Sequence, residues 1–414
     1  MKRFAPLLFA LVAATSSASG NTVESWPLTF DLTRREPAHE YSKKWGYGFE
    51  PGFAGRNPGE AILYSVRVPE GNYRVTVTLG GETVGDTTVK AESRRLMVEA
   101  VCTAAGESVT RSFFVNVRTR EIPPPEKNAP GGTAVRTNER EAGSFTWDDK
   151  LTLEFDGPQP AVSALRIEPV DITTVFLLGD STVTDQRWED GASWGQMLTR
   201  FLPGVAVANH AESGETMKSF LSELRLAKVL SQVKAGDYVF LQFGHNDQKK
   251  QWPQTYVAAD STYPAYLRVF IAEARRRGAT PVLVTSMQRR TFDPDGKIKN
   301  THGDYPPAVR TVAAEQGVAL IDLDRMGTAF YEALGPERAP LAFAAGGKDP
   351  THHNNYGAYE LAKCVAQGIR DAGLPLADAI AEDFSGFDPT NPDDPATFKL
   401  APSPQRSTER PRGN

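Results

Sequence analysis

The pattern of apolar and polar positions changes character once along this chain. Between residues 23 and 169, short stretches alternate apolar with polar side chains: 64–68 (YSVRV), 73–79 (YRVTVTL), 95–101 (RLMVEAV), 112–117 (SFFVNV), 151–155 (LTLEF) and 164–170 (ALRIEPV). A period of two places alternate side chains on one buried face, and Gly, Pro, Asn and Asp recur between the stretches. Residues 22–170 are therefore expected to form an antiparallel β-sandwich. Residues 120–138, rich in Pro, Gly and charge, read as a long loop inside it.

After Asp171 the spacing switches to apolar runs separated by helical periodicity. Strands are expected at 175–178, 205–208, 238–243, 281–285 and 318–321. Met217, Phe220, Leu221 and Leu224 fall at helical spacing, and Ala358, Leu361, Ala362, Val365 and Ile369 repeat the pattern. Such alternation predicts an α/β fold over residues 171–380, a parallel sheet covered by helices on both faces. From about Asp383 the chain is rich in Pro, Asp and Ser, so residues 381–414 are expected to be a polar, loosely ordered tail.

Composition narrows the function classes. A chain of 414 residues exceeds what one hydrophobic core usually organises, in keeping with two domains. The net charge of −5 is mild and no Lys/Arg run tracks a phosphate backbone, so nucleic acid is not an expected partner. Residues 1–18 carry a basic start, an apolar core and small residues before the expected cleavage after Ala18, the grammar of a signal peptide. Its apolar core is too short to span a bilayer and no later segment is long enough, so a secreted or periplasmic protein is expected. Cys102 and Cys364 fall in different halves of the chain and are expected to be two separately buried thiols.

The candidate chemistry starts at residues 173–185, TTVFLLGDSTVTD, where an apolar strand ends at Gly179-Asp180-Ser181-Thr182. A hydroxyl at the carboxyl end of a buried strand faces the crevice where α/β sheets bind ligands, which makes Ser181 a nucleophile candidate. By itself the tetrad is also good chemistry for an N-cap. Asp349-Pro350-Thr351-His352 supplies a carboxylate and an imidazole three residues apart, able to act as orienting acid and general base. His353 adjoins the pair, and adjacent side chains diverge, so one of the two histidines is expected to face the serine. Gly244-His245-Asn246-Asp247 closes the third strand of the second half, where Asn246 either donates to an oxyanion or caps its own turn. Gly214 follows the second strand and offers either an oxyanion N–H or a turn with positive φ. Four histidines, His245, His302, His352 and His353, lack metal-ligand spacing, so no metal or cofactor is expected.

Ser, Gly, Asn and Asp-x-x-His after successive strands resemble the block pattern of the SGNH (GDSL-type) hydrolases across residues 173–373. The stretches LLGDSTVTD, QFGHNDQK, THGDYPPAVR and DPTHHNNYGAYELAK resemble the rhamnogalacturonan acetylesterase branch. The resemblance implies Ser181 as nucleophile, Asp349 and His352 as its partners, and Ser181 N–H, Gly214 N–H and Asn246 Nδ2 as the oxyanion hole. It implies an acetylated plant cell-wall polysaccharide as substrate and no cofactor. Where relatives usually read Gly-Arg-Ser, this chain has Gly214-Glu215-Thr216, which makes Glu215 a possible substrate contact. His302 reads as a structural turn or a substrate contact, and Trp252 and Tyr256 as a stacking wall for sugar or as buried anchors. The alternatives are an acetylxylan, aryl or lipid esterase on the same fold, or a carbohydrate-binding protein without activity. The sandwich resembles the galactose-binding-like modules of polysaccharide-degrading enzymes, with Tyr47, Phe49 and Phe53 either facing a sugar or packing.

Overall fold

The computed structural model describes residues 25–33 and 39–405, so the expected signal peptide over 1–18 lies outside the described residues. The N-terminal region forms two antiparallel sheets from β1 (Leu28–Asp31), β2 (Tyr47–Ala54), β3 (Ile62–Arg67), β4 (Gly71–Gly80), β5 (Gly85–Ala91), β6 (Arg95–Thr103), β7 (Ser108–Val117), β8 (Lys150–Gln159) and β9 (Val162–Pro169). One sheet runs β1-β9-β4-β7 and the other β2-β3-β8-β5-β6. Their facing side chains, among them Val75, Val77 and Leu79 of β4 and Ile62, Leu153 and Phe155 of the other sheet, make one buried core. Each such side chain stabilises by roughly 1.5–3 kcal/mol, which is why the alternating positions set the register. All six expected strands are present, and β1, β2 and β5 join them. Phe49 belongs to this core, packed edge-on against Tyr64 at 5.1 Å.

The second half forms a parallel sheet from β10 (Thr174–Gly179), β11 (Ala206–Asn209), β12 (Tyr238–Gln242), β13 (Thr280–Val284) and β14 (Ala319–Ile321), in the order β11-β10-β12-β13-β14. Val175 and Leu177 enter the core under α1 (Trp194–Phe201) and α7 (Asn355–Asp371). Phe176 and Leu178 point into the opposite core, under α2 (Met217–Ser222), α3 (Arg225–Gln232), α4 (Thr262–Arg276) and α5 (Tyr305–Gln316). The sheet is thus buried on both faces, as the three-layer expectation requires. Strand order reverses at β10, which opens a crevice beyond its carboxyl end.

Three expectations are corrected. The helical pattern over Met217, Phe220, Leu221 and Leu224 is interrupted, because Leu224 adopts the left-handed conformation at φ 63° and starts a new helix at Arg225. Residues 384–405 are anchored, not loose, and residues 406–414 of the expected tail lie outside the described residues. Phe384 packs on Phe201 at 5.5 Å, Phe398 on Tyr359 at 5.3 Å, and the Lys90 ammonium donates to Ala401 O and Ser403 Oγ, both at 2.8 Å. A few widely spaced aromatics suffice to pin a segment whose composition is otherwise polar. Cys102 is exposed and Cys364 buried, and both are free thiols, so only the second matches the expected burial. Among the described residues no helix is long and apolar enough to cross a membrane.

The two halves meet through buried charge. Arg95, at the head of β6, is fully buried; its Nε donates to Asp185 Oδ2 at 2.8 Å and its Nη1 to Asn116 O at 3.0 Å. Arg94 Nη1 donates to Gly191 O at 2.7 Å and to Gln186 O at 3.1 Å, and its Nη2 pairs with Glu189 at 2.8 Å. Leu96 sits in the core of the α/β half beside Trp194. The chain that follows Ser181 is therefore gripped by the N-terminal region.

Candidate active site

Ser181 stands just beyond β10, and hydrogen bonds fix its turn from several sides. Asp180 Oδ1 accepts from Thr182 N at 3.0 Å and from Thr182 Oγ1 at 2.9 Å. Thr182 Oγ1 in turn accepts from Gln242 Nε2 at 2.7 Å, and Trp194 Nε1 donates to Gln242 Oε1 at 2.7 Å. Gly179 is required by close approach, since a Cβ there would lie 2.7 Å from Gln242 O and 2.7 Å from Val183 Cγ2. Burial, partly offset by the Thr182 bonds, pushes the Asp180 carboxyl up to about 6.

His352 arrives from the loop before α7, whose start is fixed by Asn354 Oδ1 accepting from Gly357 N at 3.1 Å. His352 Nε2 lies 2.8 Å from Ser181 Oγ, and His352 Nδ1 lies 2.9 Å from Asp349 Oδ2. The other carboxylate oxygen, Oδ1, accepts from Thr351 N at 2.8 Å and His352 N at 3.1 Å. Burial opposes ionisation of Asp349, but the His352 hydrogen bond and charge and these two N–H groups outweigh it and hold the carboxyl at about 2. An ionised carboxylate only accepts, so Nδ1 carries the imidazole proton and Nε2 is left to accept from the serine hydroxyl. His353 turns away, its Nε2 2.6 Å from Tyr331 OH, and burial pushes its imidazole down to about 3.

Two further loops close the site. Gly214 has φ +84°, a conformation that favours glycine. Asn246 Nδ2 donates to Glu215 O at 3.1 Å, which fixes the amide orientation and leaves its second N–H available. Asp247 clamps the same loops together, accepting from Gly244 N at 2.9 Å and Met217 N at 3.0 Å. Among the described residues the N–H groups of Ser181 and Gly214 have no intramolecular acceptor. Unsatisfied donors at strand ends, beside a serine in contact with a base, are what a tetrahedral oxyanion needs.

The expected substrate contacts fare differently. Glu215 is a correction: its side chain is 3 % exposed, accepts from Ser219 Oγ at 2.6 Å and pairs with Arg225 at 3.4 Å. Thr216 caps α2, accepting from Ser219 N at 3.1 Å, so the departure from Gly-Arg-Ser is taken up by helix α2 and its buried ion pair. His302 is likewise fully buried, its Nε2 2.9 Å from His245 Nδ1, and burial and Arg289 push its imidazole down to about 3. These two side chains hold the scaffold. Trp252 and Tyr256 stay half-buried on one turn, with the Lys249 ammonium 4.2 Å above the Trp252 ring. Burial and Arg289 lower that ammonium to about 8 against the pull of Asp180. Lys249 and Arg289 escaped the sequence reading because nothing in their spacing separates a buried cation from a solvated one.

The profile of the GDSL-like lipase/acylhydrolase family matches residues 177–394, more than half of the chain and all of the site loops. The chain belongs to this family. It is a carboxylic ester hydrolase. It is 43 % identical over 218 residues to the rhamnogalacturonan acetylesterase RhgT of Bacillus subtilis (strain 168), covering 49 % of this chain and 92 % of that protein. It is 39 % identical over 215 residues to the probable rhamnogalacturonan acetylesterase YesY of the same organism, covering 50 % of this chain and 98 % of the relative. A longer match, 27 % identical over 322 residues and 75 % of each chain, is to the uncharacterised esterase YxiM of that organism.

Proposed function

We propose that this GDSL-family hydrolase is an exported carbohydrate esterase that removes acetyl groups from a pectic polysaccharide of the rhamnogalacturonan class. The observation that carries the reaction is the unbroken relay of 2.8 Å and 2.9 Å from Ser181 Oγ through His352 to Asp349. Ser181 Oγ attacks the acetyl carbonyl carbon while its proton passes to His352 Nε2. Negative charge develops on the carbonyl oxygen, which the N–H groups of Ser181 and Gly214 and Asn246 Nδ2 receive. Collapse breaks the C–O bond to the sugar, whose oxygen takes the proton from Nε2, and leaves acetyl-Ser181. Water then attacks the acetyl carbon, gives its proton to Nε2, and acetate leaves as the proton returns to Ser181. Likeness to RhgT and YesY supports the pectic substrate. Export is supported by the signal-like composition of residues 1–18.

Acetate release tests both parts. Native protein and Ser181→Ala are compared on acetylated rhamnogalacturonan, acetylated xylan and a long-chain acyl ester. The expected result is fastest release from the pectic substrate, abolished in the variant. Faster release from xylan or from the acyl ester overturns the substrate, and full activity of Ser181→Ala overturns the mechanism.

A further inference from the structure

A cavity of about 350 Å³ opens between the two halves of the chain, one residue away from Gly214. Such a volume lies within the range of roughly 300–1,000 Å³ that small-molecule sites occupy. Its walls come from the chain after Ser181, from 211–213, and from the N-terminal segment that runs from Arg118 through Arg140 to Trp147. The segment is docked firmly. Arg225 Nη2 donates to Glu141 Oε2 at 2.7 Å, Arg140 Nε donates to Glu212 Oε1 at 2.5 Å, and Arg140 Nη2 also reaches Ser213 O.

Four of the five carboxylates that line this cavity already have cations, and the fifth, Glu139, is exposed to solvent. Glu141 pairs with Arg225, Asp185 with Arg95, Glu189 with Arg94, and Glu212 with Arg140. Two guanidinium groups are left over. Arg118 is 2 % exposed, no carboxylate pairs with it among the described residues, and its Nε and Nη1 have no acceptor. Arg187 donates Nη1 to Ala142 O at 2.8 Å, while its buried Nε has no acceptor. Each is flattened on an indole, Arg118 at 4.6 Å from the Trp147 ring and Arg187 at 4.3 Å from the Trp188 ring. Trp188 is 40 % exposed and can offer its other face to a ligand. A buried guanidinium without a counter-ion is costly, and an anionic group entering the cavity relieves that cost. Burial and the neighbouring Arg95 lower the Arg118 guanidinium to about 10 against the pull of Asp185, Glu92 and Glu141.

We propose that this cavity is a subsite for a uronate residue of the polysaccharide, its carboxylate received by Arg118 and Arg187 and its ring laid against Trp188. The proposal rests on the carbohydrate esterase reading, and it assigns to the N-terminal region a direct share in substrate binding. The acetylated residue stands at Ser181 while an acidic neighbour along the chain is held beyond Ser213. The fit to a carboxylate, and not merely to a hydroxyl, follows from the two unpaired cations.

The test is binding to the Ser181→Ala protein, which cannot turn over, by titration calorimetry with digalacturonate and with the neutral disaccharide digalactose. Digalacturonate is expected to bind more tightly than digalactose, and more weakly as salt rises. Arg187→Gln and Arg118→Gln, each introduced separately, are expected to weaken digalacturonate by about tenfold or more, the loss of one charge-assisted hydrogen bond. Arg187 is half-buried and at the cavity mouth, so its variant serves if the deeply buried Arg118 variant does not fold. Equal binding of the two disaccharides, no binding of either, or parental affinity in Arg187→Gln overturns the subsite. Acetate release by the native protein is read separately: if no acetylated polysaccharide yields acetate, the carbohydrate reading fails whichever way the binding falls.

Discussion

Replacing Asp349 by asparagine probes the relay at its least forgiving point, because the two carboxylate oxygens do different things. Oδ1 accepts from the N–H groups of Thr351 and His352, and Oδ2 alone receives His352 Nδ1. An asparagine keeps Oδ1 on its two backbone donors and puts an NH₂ group where Oδ2 was. That NH₂ can only donate, so Nδ1 must accept and the imidazole proton moves to Nε2. Nε2 then donates toward Ser181 Oγ, and the serine proton loses its acceptor. By the logic of a displaced tautomer kcat is expected to fall about 10³- to 10⁴-fold, or roughly 4–5.5 kcal/mol of barrier. The fold responds much less. A carboxyl held at about 2 against an ordinary 3.8 stabilises the native state by roughly 2 kcal/mol. That contribution is complete above the unfolded value and is lost as pH falls through the folded one. Asp349→Asn should therefore unfold at lower urea than native protein at pH 7, and the gap should shrink to roughly a third of that size near pH 2.5, just above the folded value. The assay is p-nitrophenyl acetate hydrolysis alongside urea unfolding at both pH values. A folded variant retaining kcat within tenfold of native refutes the tautomer argument, and an equal stability gap at both pH values refutes the ionisation argument.

Three other perturbations separate chemistry from scaffold. Asn246→Ala removes a proposed oxyanion donor and should lower kcat about 10²- to 10³-fold while changing KM little; a loss confined to KM would place Asn246 in ground-state binding. Arg225→Met strands Glu141, Glu215 and Glu223, which the guanidinium joins at 2.7, 3.4 and 3.0 Å, and should cost about 3–5 kcal/mol in urea unfolding at pH 7. A cost below about 1 kcal/mol would mean that those carboxyls simply take up protons. Lys90→Met leaves Glu154 and Asp156 buried without their cation and removes the donor to Ala401 and Ser403. Limited proteolysis should then cut after about residue 399, where the native protein resists.

The layers were legible in the sequence because burial on one or two faces leaves a period that composition cannot hide. Val175, Phe176, Leu177 and Leu178 read as a strand buried on both sides, and each faces a core. Ser181, Asp349 and His352 were legible for a different reason: short polar motifs at strand ends stand out against apolar runs. Three kinds of feature were not legible. Buried charge looks like solvated charge in a sequence, so Arg94, Arg95, Arg118 and Arg225 carried no signal. A left-handed residue such as Leu224 breaks a helix without altering its hydrophobic period. The polar segment after Asp383 hid four anchors, Phe384, Phe387, Phe398 and Leu400, among Pro and Asp.

The same buried charges explain how two folds share one site. Ser181 itself is held from inside the α/β half, through Asp180, Thr182, Gln242 and Trp194. The segment just beyond it, from Asp185 to Gly191, is held from outside, by Arg94 and Arg95 at the head of β6. The two sets of contacts meet at Gln186, whose Nε2 donates to Ser181 O at 2.6 Å and whose own carbonyl accepts from Arg94. Geometry at the serine depends first on the inner set, because those bonds are nearest to it and fully dry. The outer set shapes the cavity wall that carries Arg187 and Trp188. Distortion of the junction between the halves is therefore expected to reach the proposed uronate subsite before it reaches the hydroxyl, so that variants at Arg94 or Arg95 should change the discrimination between esters more than kcat on p-nitrophenyl acetate.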